Sequence, residues 1–484
     1  MAETKLEKKH KAELKDIYAY LVELGGGRSK VVDDLFYDGD KLRIPRSYTW
    51  ADVQQLAERK IVEESQTAGY SRQFLYRPWD GAFCLANSLT KVFGTFHLKG
   101  KMGWFGPTPP SMITVASGVN ETTQIPWGDF SCPAIPKVSF ECDTYEDEER
   151  GQLFKVTAFG PKKHEDAING VFELARLEME SHSLYRGKAF DGRETPEFVD
   201  VYAIDRSKVV YADSVEKAIN SNIWSPLRDQ AVHSRAGLSF KRAVLVYGTF
   251  GVGKTLTGNA TGQIAIENGV TFIWCRPGRD NLAYCLQTAR LYDPCVLFYE
   301  DVDAVLADDN SRSAVSRLLD DFDGIKAKGA KVMIVMTTNY PEQIEQGLLR
   351  PGRIDRAIKV ADLDQDGVRR LIQTIIPAEQ FSADVDWLAV YQAAEGYKPA
   401  FYHEFAEAVL RTRIAEHGEE YDSFLITTDE VVQAAVELRE QYDLMVGAKT
   451  AEGPNSLDQA LRLNVEQTLR SNLRAGALNP VNHS

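Results

Sequence analysis

The sequence predicts an α/β fold: a parallel sheet built around a glycine-rich loop, followed by a helical lid subdomain and preceded by an α+β domain. From Ala243 onward, the strand-like runs AVLVYG, VTFIWC, VLFYED and VMIVMTTN alternate with helical stretches. Strands that alternate with helices need crossover connections and therefore form a parallel sheet. The glycine-rich loop stands between the first of these strands and a helix.

Residues 1–200 have a different sequence pattern. Apolar side chains recur at helical spacing within residues 5–24, which predicts a helix. Between Tyr76 and Val156, short β-prone runs separated by clusters of Gly, Pro and Asn predict a β-containing domain. A helix is expected from His164 to His182. We assign residues 1–200 to an N-terminal α+β domain that serves recognition.

The chain beyond Asp362 reads as helical. Residues 205–361 then form an α/β subdomain that contains the glycine-rich loop, and residues 362–448 form the helical lid. The tail, residues 449–484, predicts one further helix, with a capping box at Ser456 and Gln459 and a stop at Gly476. The apolar stripe of this helix fits packing onto its own lid better than docking to a partner.

Composition and sequence pattern argue against several functional classes. The net charge of −14 disfavours a surface built to neutralise nucleic-acid phosphates. Six cysteines without a CxxC pair indicate reduced, mostly buried thiols. The N-terminus lacks an apolar signal region and the apolar runs are too short to span a bilayer, so we expect a cytoplasmic protein that does not enter a membrane.

The glycine-rich loop matches GxxxxGK[ST], the Walker A pattern of P-loops. Glycines allow backbone N–H groups to surround phosphates, and the following helix N-terminus adds a favourable dipole. Lys254 would reach the β- and γ-phosphates of ATP, and Thr255 would supply a hydroxyl to Mg²⁺. The predicted nucleotide-binding residues of this loop are Gly248, Thr249, Phe250, Gly251, Val252, Gly253, Lys254, Thr255 and Leu256.

Polar side chains follow two later strands. Glu300 and Asp301 end the run VLFYED in the manner of a Walker B element, and Asn339 ends VMIVMTTN. The carboxyl ends of parallel strands are where open α/β sheets bind ligands. We assign Glu300 to the Mg²⁺ site, Asp301 to the attacking water and Asn339 to positioning that water.

The segment GLLRPGRIDR places Arg350 and Arg353 beside a predicted turn. Taken alone, surface arginines paired with Asp355 would be the simpler interpretation. A guanidinium lent to a neighbouring subunit can instead stabilise the charge of phosphoryl transfer. On these residues alone the surface interpretation is preferred, and the order of the motifs described next favours the second.

In order and separation, the P-loop, EDVDA, AVSRLLDDFDGI, MTTN and LLRPGRIDR resemble the core of AAA ATPases. The resemblance covers residues 210–360 and, more weakly, the lid to His417. It implies assembly into a ring, usually a hexamer, with Asn339 as sensor-1 and trans-acting fingers at Arg350 and Arg353. It also implies adenine contacts at Asp213 and Val215.

Three features depart from the usual AAA pattern. Thr249-Phe250 replaces Pro-Pro, which leaves the backbone function of the loop intact. Glu300-Asp301 replaces Asp-Glu, so the expected base is one methylene shorter, which leaves slow turnover open as an alternative. This order is similar to the branch typified by the mitochondrial translocase of the Rieske iron–sulfur protein, without its membrane anchor. Residues 276–293 are too short for the usual pore loop, and Tyr284 fits a core role better than a pore role.

Three functional hypotheses follow. The first is an ATPase ring that remodels or translocates a protein client through its N-terminal domain. The second is a nucleic-acid motor or loader in mobile-element replication, which the acidic composition disfavours. The third is an ATP-gated scaffold that assembles and hydrolyses slowly, suggested by the short side chain of Asp301.

Overall fold

The structure is a computed structural model of the chain. It describes residues 65–94, 111–276, 279–303, 329–344, 346–350 and 352–444, with short strands and single residues elsewhere. The helices predicted at residues 5–24 and 456–476 lie outside the described residues. The chain forms two compact units: the first is Met1–Arg206, Ala218–Tyr247 and Thr255–Lys359, and the second is Ser207–Lys217, Gly248–Lys254 and Val360–Ser484.

An antiparallel sheet forms much of the N-terminal part of the first unit, as the short β-prone runs predict. Its strand order is β3-β10-β9-β8-β4, with β7 paired to β8. The strands are β3 (Thr67–Gln73), β4 (His97–Leu98), β7 (Ser111–Gly118), β8 (Glu121–Ser131), β9 (Ser139–Asp147) and β10 (Gly151–Pro161). Two separate small hairpins are β1–β2 (Phe36–Asp38 and Lys41–Arg43) and β5–β6 (Met102–Gly103 and Gly106–Pro107).

Two helices, α1 (Pro78–Phe93) and α2 (Glu165–His182), pack together beside this sheet. Helix α2 is predicted from the sequence, whereas α1 is not. Helix α1 carries a fully buried carboxylate, Asp80, whose oxygens accept hydrogen bonds from the Ser183 hydroxyl and the Leu184 N–H, each at 2.6 Å. Burial raises the pKa of Asp80. At Gly81 an added Cβ would lie 2.1 Å from the Phe154 ring, so only glycine permits this approach of α1 to β10.

The six-stranded sheet of the first unit has the order β11-β13-β14-β15-β12-β16, and its strands pair in parallel throughout. This confirms the predicted parallel sheet. The strands are β11 (Ala189–Asp191), β12 (Arg242–Tyr247), β13 (Thr271–Cys275), β14 (Cys295–Tyr299), β15 (Val332–Thr338) and β16 (Arg356–Lys359). Strands β13, β14 and β15 are buried along their whole length, as continuous apolar runs require.

Helices connect these strands and build the second unit. Those in the α/β region are α3 (Asp213–Ile219), α4 (Ser225–Arg228), α5 (Gln230–Arg235), α6 (Lys254–Glu267) and α7 (Leu282–Leu291). The predicted lid is helical, with its own apolar core, and contains α8 (Gln365–Gln373), α9 (Trp387–Ala393), α10 (Pro399–His417) and α11 (Thr428–Glu437). Thr427 and Glu430 cap α11 reciprocally.

The antiparallel and parallel sheets of the first unit share one hydrophobic core. Arg77 crosses this core and is almost completely buried. Its guanidinium donates to the Thr288 hydroxyl on α7 at 2.6 Å and to the carbonyls of Arg150 and Gln152 at 2.9 Å, and it stacks 3.9 Å from the Tyr284 ring centre. The predicted boundary near residue 200 stays a prediction, but β11 already belongs to the parallel sheet.

Arg77→Met is expected to lower the free energy of unfolding by about 3 kcal/mol, because several buried oxygens lose their hydrogen-bond donor. The measurement is the midpoint of chemical denaturation. Arg72→Met, on neighbouring β3 and partly exposed, is the control and should change stability by less than about 1 kcal/mol. Equal midpoints for wild type and Arg77→Met would contradict the importance of this contact.

All six cysteines are free and buried, which confirms the prediction of reduced thiols. Burial raises the pKa of the Cys142 thiol, as desolvation disfavours a thiolate. Within the described residues, no helix combines the length and the apolar character that crossing a membrane requires.

Candidate functional site

The glycine-rich loop, Gly248–Lys254, belongs to the second unit and leads into helix α6. Gly251 and Gly253 have φ values of 80° and 98°, in the left-handed region that favours glycine. At Gly248, an added Cβ would lie 2.7 Å from the Val360 carbonyl oxygen, so a larger residue would disturb the chain there. The loop therefore has the sharply curved backbone that a phosphate site needs.

Lys254 is buried and directs its ammonium back into the loop. The Nζ donates to the carbonyl oxygens of Gly248 at 2.8 Å and Thr249 at 2.9 Å. The Tyr211 hydroxyl donates to the Gly253 carbonyl at 3.4 Å. A cation is thus fixed at the loop, where it can meet phosphate oxygens. Of the other loop residues, Thr249 and Phe250 are exposed and Val252 is buried, while Leu256 follows on α6 and is partly buried.

The two residues predicted to hold magnesium lie together in the first unit. The Thr255 hydroxyl donates to Glu300 Oε1 at 2.6 Å, although 45 residues separate them in the sequence. A hydroxyl beside a carboxylate supplies the hard oxygen ligands that Mg²⁺ prefers, and Mg²⁺ bound with phosphates typically uses only one or two protein carboxylates. The residues present therefore fit a magnesium ion.

At Asp301 the backbone leaves the direction of β14, because its φ of 47° lies in the left-handed region. Aspartate tolerates this conformation better than most residues do. Its N–H donates to the Thr337 hydroxyl at 2.8 Å, and its Oδ1 accepts from Asn339 Nδ2 at 3.3 Å. The structure therefore brings Glu300, Asp301 and Asn339 to one edge of the sheet.

Asn339 is held from its backbone as well, because its N–H donates to Asp303 Oδ1 at 3.1 Å. The parallel register of β14 and β15 pairs Tyr299 with Met336, so the polar residues after each strand lie beside one another. A carboxylate and an amide fixed in this way can orient one water molecule.

Arg350 is exposed and Arg353 is half-buried, in the turn before β16. Asp355 directs one carboxylate oxygen to the Ala243 N–H at 2.8 Å and the other to the Gly352 N–H at 3.0 Å. Asp355 therefore fixes the turn through backbone groups. The role of Arg350 and Arg353 in a neighbouring subunit stays a prediction.

The residues expected to contact adenine lie in the second unit beside the lid. Val215 is buried, whereas Asp213 is exposed and accepts a hydrogen bond from Arg370 Nη2 at 2.9 Å. Arg370 also donates to the Tyr211 carbonyl at 3.0 Å, which ties helix α8 to the segment before α3. The adenine contact itself stays a prediction.

Tyr284 is packed within its own chain. Its ring stacks under Arg77 and its hydroxyl lies 3.4 Å from the Glu194 carbonyl oxygen. Both contacts support the structural role expected for Tyr284.

Sequence reasoning misses four residues of this region: Trp274, Thr337, Tyr211 and Arg370. Thr337 stands in the run MTTN, and its place one residue before the strand end was a usable signal. Trp274 donates to Glu300 Oε2 at 2.9 Å, and strand alternation could have placed it on the face of Glu300. Tyr211 and Arg370 act over long sequence distances and leave no local pattern.

Comparison with known proteins bears on this geometry. Residues 244–362 match the family model described as ATPase family associated with various cellular activities (AAA). The chain carries an AAA ATPase domain. This domain contains Thr255, Glu300, Asp301 and Asn339.

Relatives of the AAA domain come from distant organisms. The chain is 30% identical over 198 residues to the ATPase family gene 2 protein of Schizosaccharomyces pombe, covering 38% of this chain and 24% of that protein. It is 30% identical over 244 residues to the ATP-dependent zinc metalloprotease FtsH of Acidothermus cellulolyticus, covering 46% and 34%. It is 27% identical over 220 residues to Protein SAV of Sulfolobus acidocaldarius, covering 42% and 28%. The match thus spans about a quarter to a third of these relatives.

Proposed function

We propose that this protein is an ATPase that binds Mg·ATP, hydrolyses it and couples the cycle to remodelling or translocation of a protein client. The observation that carries the proposal is the 2.6 Å hydrogen bond between Thr255 and Glu300. Thr255 directly follows Lys254, the lysine of the P-loop. The AAA domain supports the same reaction. Steady-state release of phosphate from ATP tests it: wild type should release phosphate with Mg²⁺ and not with EDTA. Equal rates in both conditions would contradict it.

In the proposed cycle, the N–H groups of the loop and the Lys254 ammonium bind the β- and γ-phosphates. Thr255 and Glu300 hold Mg²⁺, which supplies neutralisation of the phosphate charge. Asp301 accepts a hydrogen bond from the attacking water and takes its proton, and Asn339 orients that water. The water oxygen bonds to the γ-phosphorus as the bond to the β,γ-bridging oxygen breaks, leaving ADP and phosphate.

The second candidate function, an ATP-gated scaffold with slow hydrolysis, is favoured by one observation. Asp301 is shorter than the glutamate usual at this position, and its carboxylate already accepts a hydrogen bond from Asn339. A backbone with positive φ favours aspartate over glutamate here. The Glu-Asp order also supports the resemblance to the branch of the Rieske-protein translocase, which stays a prediction. Turnover slower than assembly would favour the scaffold.

The AAA domain supports assembly into a ring, and we propose a hexamer in which Arg350 and Arg353 act in the site of the next subunit. Arg350→Ala and Arg353→Ala should each preserve ATP binding while lowering turnover by about 10³-fold. Mixing either variant with Lys254→Ala protein should restore part of the activity, because the two defects lie on opposite sides of one interface. Lys359→Ala, an exposed cation at the end of β16, is the control and should leave turnover unchanged.

A fully active monomer would contradict the finger assignment. Loss of activity that mixing does not restore would also contradict it, provided that light scattering shows mixed assemblies. The two measurements together separate a failure to assemble from a failure of the arginines.

The client is proposed to be a protein, recognised by the N-terminal domain. One relative is named a metalloprotease, and the acidic composition disfavours nucleic acid. The client can be trapped by pull-down on Asp301→Asn protein with ATP, with Lys254→Ala, which is expected to bind ATP more weakly, as the control. Nucleic acid recovered in place of protein would support the motor or loader instead.

A further inference from the structure

Trp274 lies beside the proposed magnesium site because of strand register. Strands β13 and β14 run parallel, with Trp274 opposite Phe298. Glu300 follows Phe298 by two residues, and residues two apart along a strand lie on one face. The same geometry that pairs the strands therefore places the indole on the face where the Glu300 carboxylate emerges.

The indole is held in place by its neighbours. Trp274 is 5% exposed, and its ring packs edge-on against Phe298 at 5.1 Å and Phe272 at 5.9 Å between ring centres. An aromatic ring fixed on two sides directs its N–H in one direction. That direction is set by the core of the sheet and not by solvent.

Each oxygen of Glu300 has its own donor. The Trp274 Nε1–H donates to Oε2 at 2.9 Å, while the Thr255 hydroxyl donates to Oε1 at 2.6 Å. Hydrogen bonds to a carboxylate are stronger than neutral ones. A glutamate has one more rotatable bond than an aspartate, so fixing it costs more conformational entropy. A rigid donor at Oε2 offsets that cost and leaves Oε1 facing Thr255.

We infer that Trp274 is a positioning residue that holds the Glu300 carboxylate in the orientation for magnesium. The inference rests on the proposed function, since it requires Mg·ATP at Thr255 and Glu300. Trp274 acts through Glu300, to which its indole N–H donates. Removing the indole N–H should weaken the increase in ATP affinity that Mg²⁺ causes. The affinity of the loop for ATP without Mg²⁺ should not change.

The test is Trp274→Phe, which keeps an aromatic ring and removes the N–H. Calorimetric titration of ATP at a series of Mg²⁺ concentrations gives the concentration for half-maximal enhancement of binding. It should rise roughly tenfold, the effect of losing one hydrogen bond to a charged group. ATP affinity in EDTA should stay within about twofold of wild type, a difference worth at most a small part of one hydrogen bond.

The matched control is Trp224→Phe. The Trp224 indole donates to the Thr261 hydroxyl at 3.1 Å, on the same helix α6 that carries Thr255. Its magnesium response should equal that of wild type. In a Glu300→Asp background, where the shorter side chain withdraws from the indole, Trp274→Phe should add less than about twofold, because coupled residues are not additive.

The outcomes separate the two claims. Wild-type protein that binds ATP equally with and without Mg²⁺ would contradict the proposed function. A wild-type magnesium response that Trp274→Phe retains would overturn the role of Trp274 alone. A loss of ATP affinity in EDTA equal to the loss with Mg²⁺ would assign Trp274 to the fold instead, and would also overturn it. If Trp274→Phe does not fold, Trp274→Met, a flexible apolar filler, provides the same measurement.

Discussion

Lys254→Ala is expected to lower steady-state ATP turnover by at least about 10²-fold, because it removes the only cation that the loop itself supplies to the phosphates. The ammonium is already buried within the loop, donating to the carbonyls of Gly248 and Thr249. In the proposed cycle it transfers those hydrogen bonds to the nucleotide. ATP affinity should fall as well, by roughly tenfold or more, the loss of one charge-assisted contact.

The measurements are phosphate release at saturating ATP and calorimetric binding of Mg·ATP. Lys359→Ala is again the control, since it removes an exposed positive charge at the end of β16. Wild-type turnover in Lys254→Ala would contradict the assignment of the loop as the phosphate site. Altered melting of Lys254→Ala would instead point to a structural defect.

Asp301→Asn is expected to separate binding from chemistry. Asparagine preserves the size of the side chain and can occupy the positive φ of this position, but it cannot take a proton from water. Turnover should fall by about 10² to 10⁴-fold, the usual contribution of a general base. ATP affinity should stay within about threefold, because Asp301 is not assigned to the phosphates or to magnesium.

Asp422→Asn is the control for the change of net charge, because it neutralises an exposed carboxylate in the lid region. Phosphate release and ATP binding are measured on the same preparations. If Asp301→Asn lost binding and turnover together, Asp301 would belong to the ground-state site. If it lost neither, the assigned base would be wrong. If wild type, Lys254→Ala and Asp301→Asn all released phosphate at the same negligible rate, the slow-scaffold interpretation would be favoured.

The sequence predicted the parallel sheet because its strands carry their own signal. Runs such as Cys295–Tyr299 are apolar at every position, and burial on both faces of a parallel sheet requires that. The loop was predictable for the same reason: Gly251, Gly253 and Lys254 are neighbours in the chain. The meeting of Thr255 with Glu300 followed from where strand ends lie in such sheets.

The sequence could not predict features that depend on distant partners. Helix α1 carries Asp80 and Gly81 at buried positions, which alone argue against a core helix. They are acceptable only because Ser183 and Leu184 satisfy the carboxylate and because Phe154 needs the space over Gly81. Arg77 reads as a surface residue in the sequence and is buried by contacts from residues 150–152 and α7.

The Glu-Asp order at 300–301 illustrates the same limit. The sequence presents it as a departure that shortens the base. The structure adds two local reasons for it: a positive φ that suits aspartate at 301 and an indole that fixes the longer glutamate at 300. The φ of Asp301 is not visible in the sequence, and the contact of Trp274 with Glu300 requires the pairing of β13 with β14.

The account depends most directly on where the nucleotide and its metal bind. An experimental structure of Asp301→Asn protein with Mg·ATP measures this. The expected result is ATP with its phosphates in the Gly248–Lys254 loop and Mg²⁺ about 2.1 Å from the Thr255 hydroxyl oxygen. Glu300 should reach the ion directly or through one water. A nucleotide bound elsewhere, or a metal ion remote from both Thr255 and Glu300, would contradict the account.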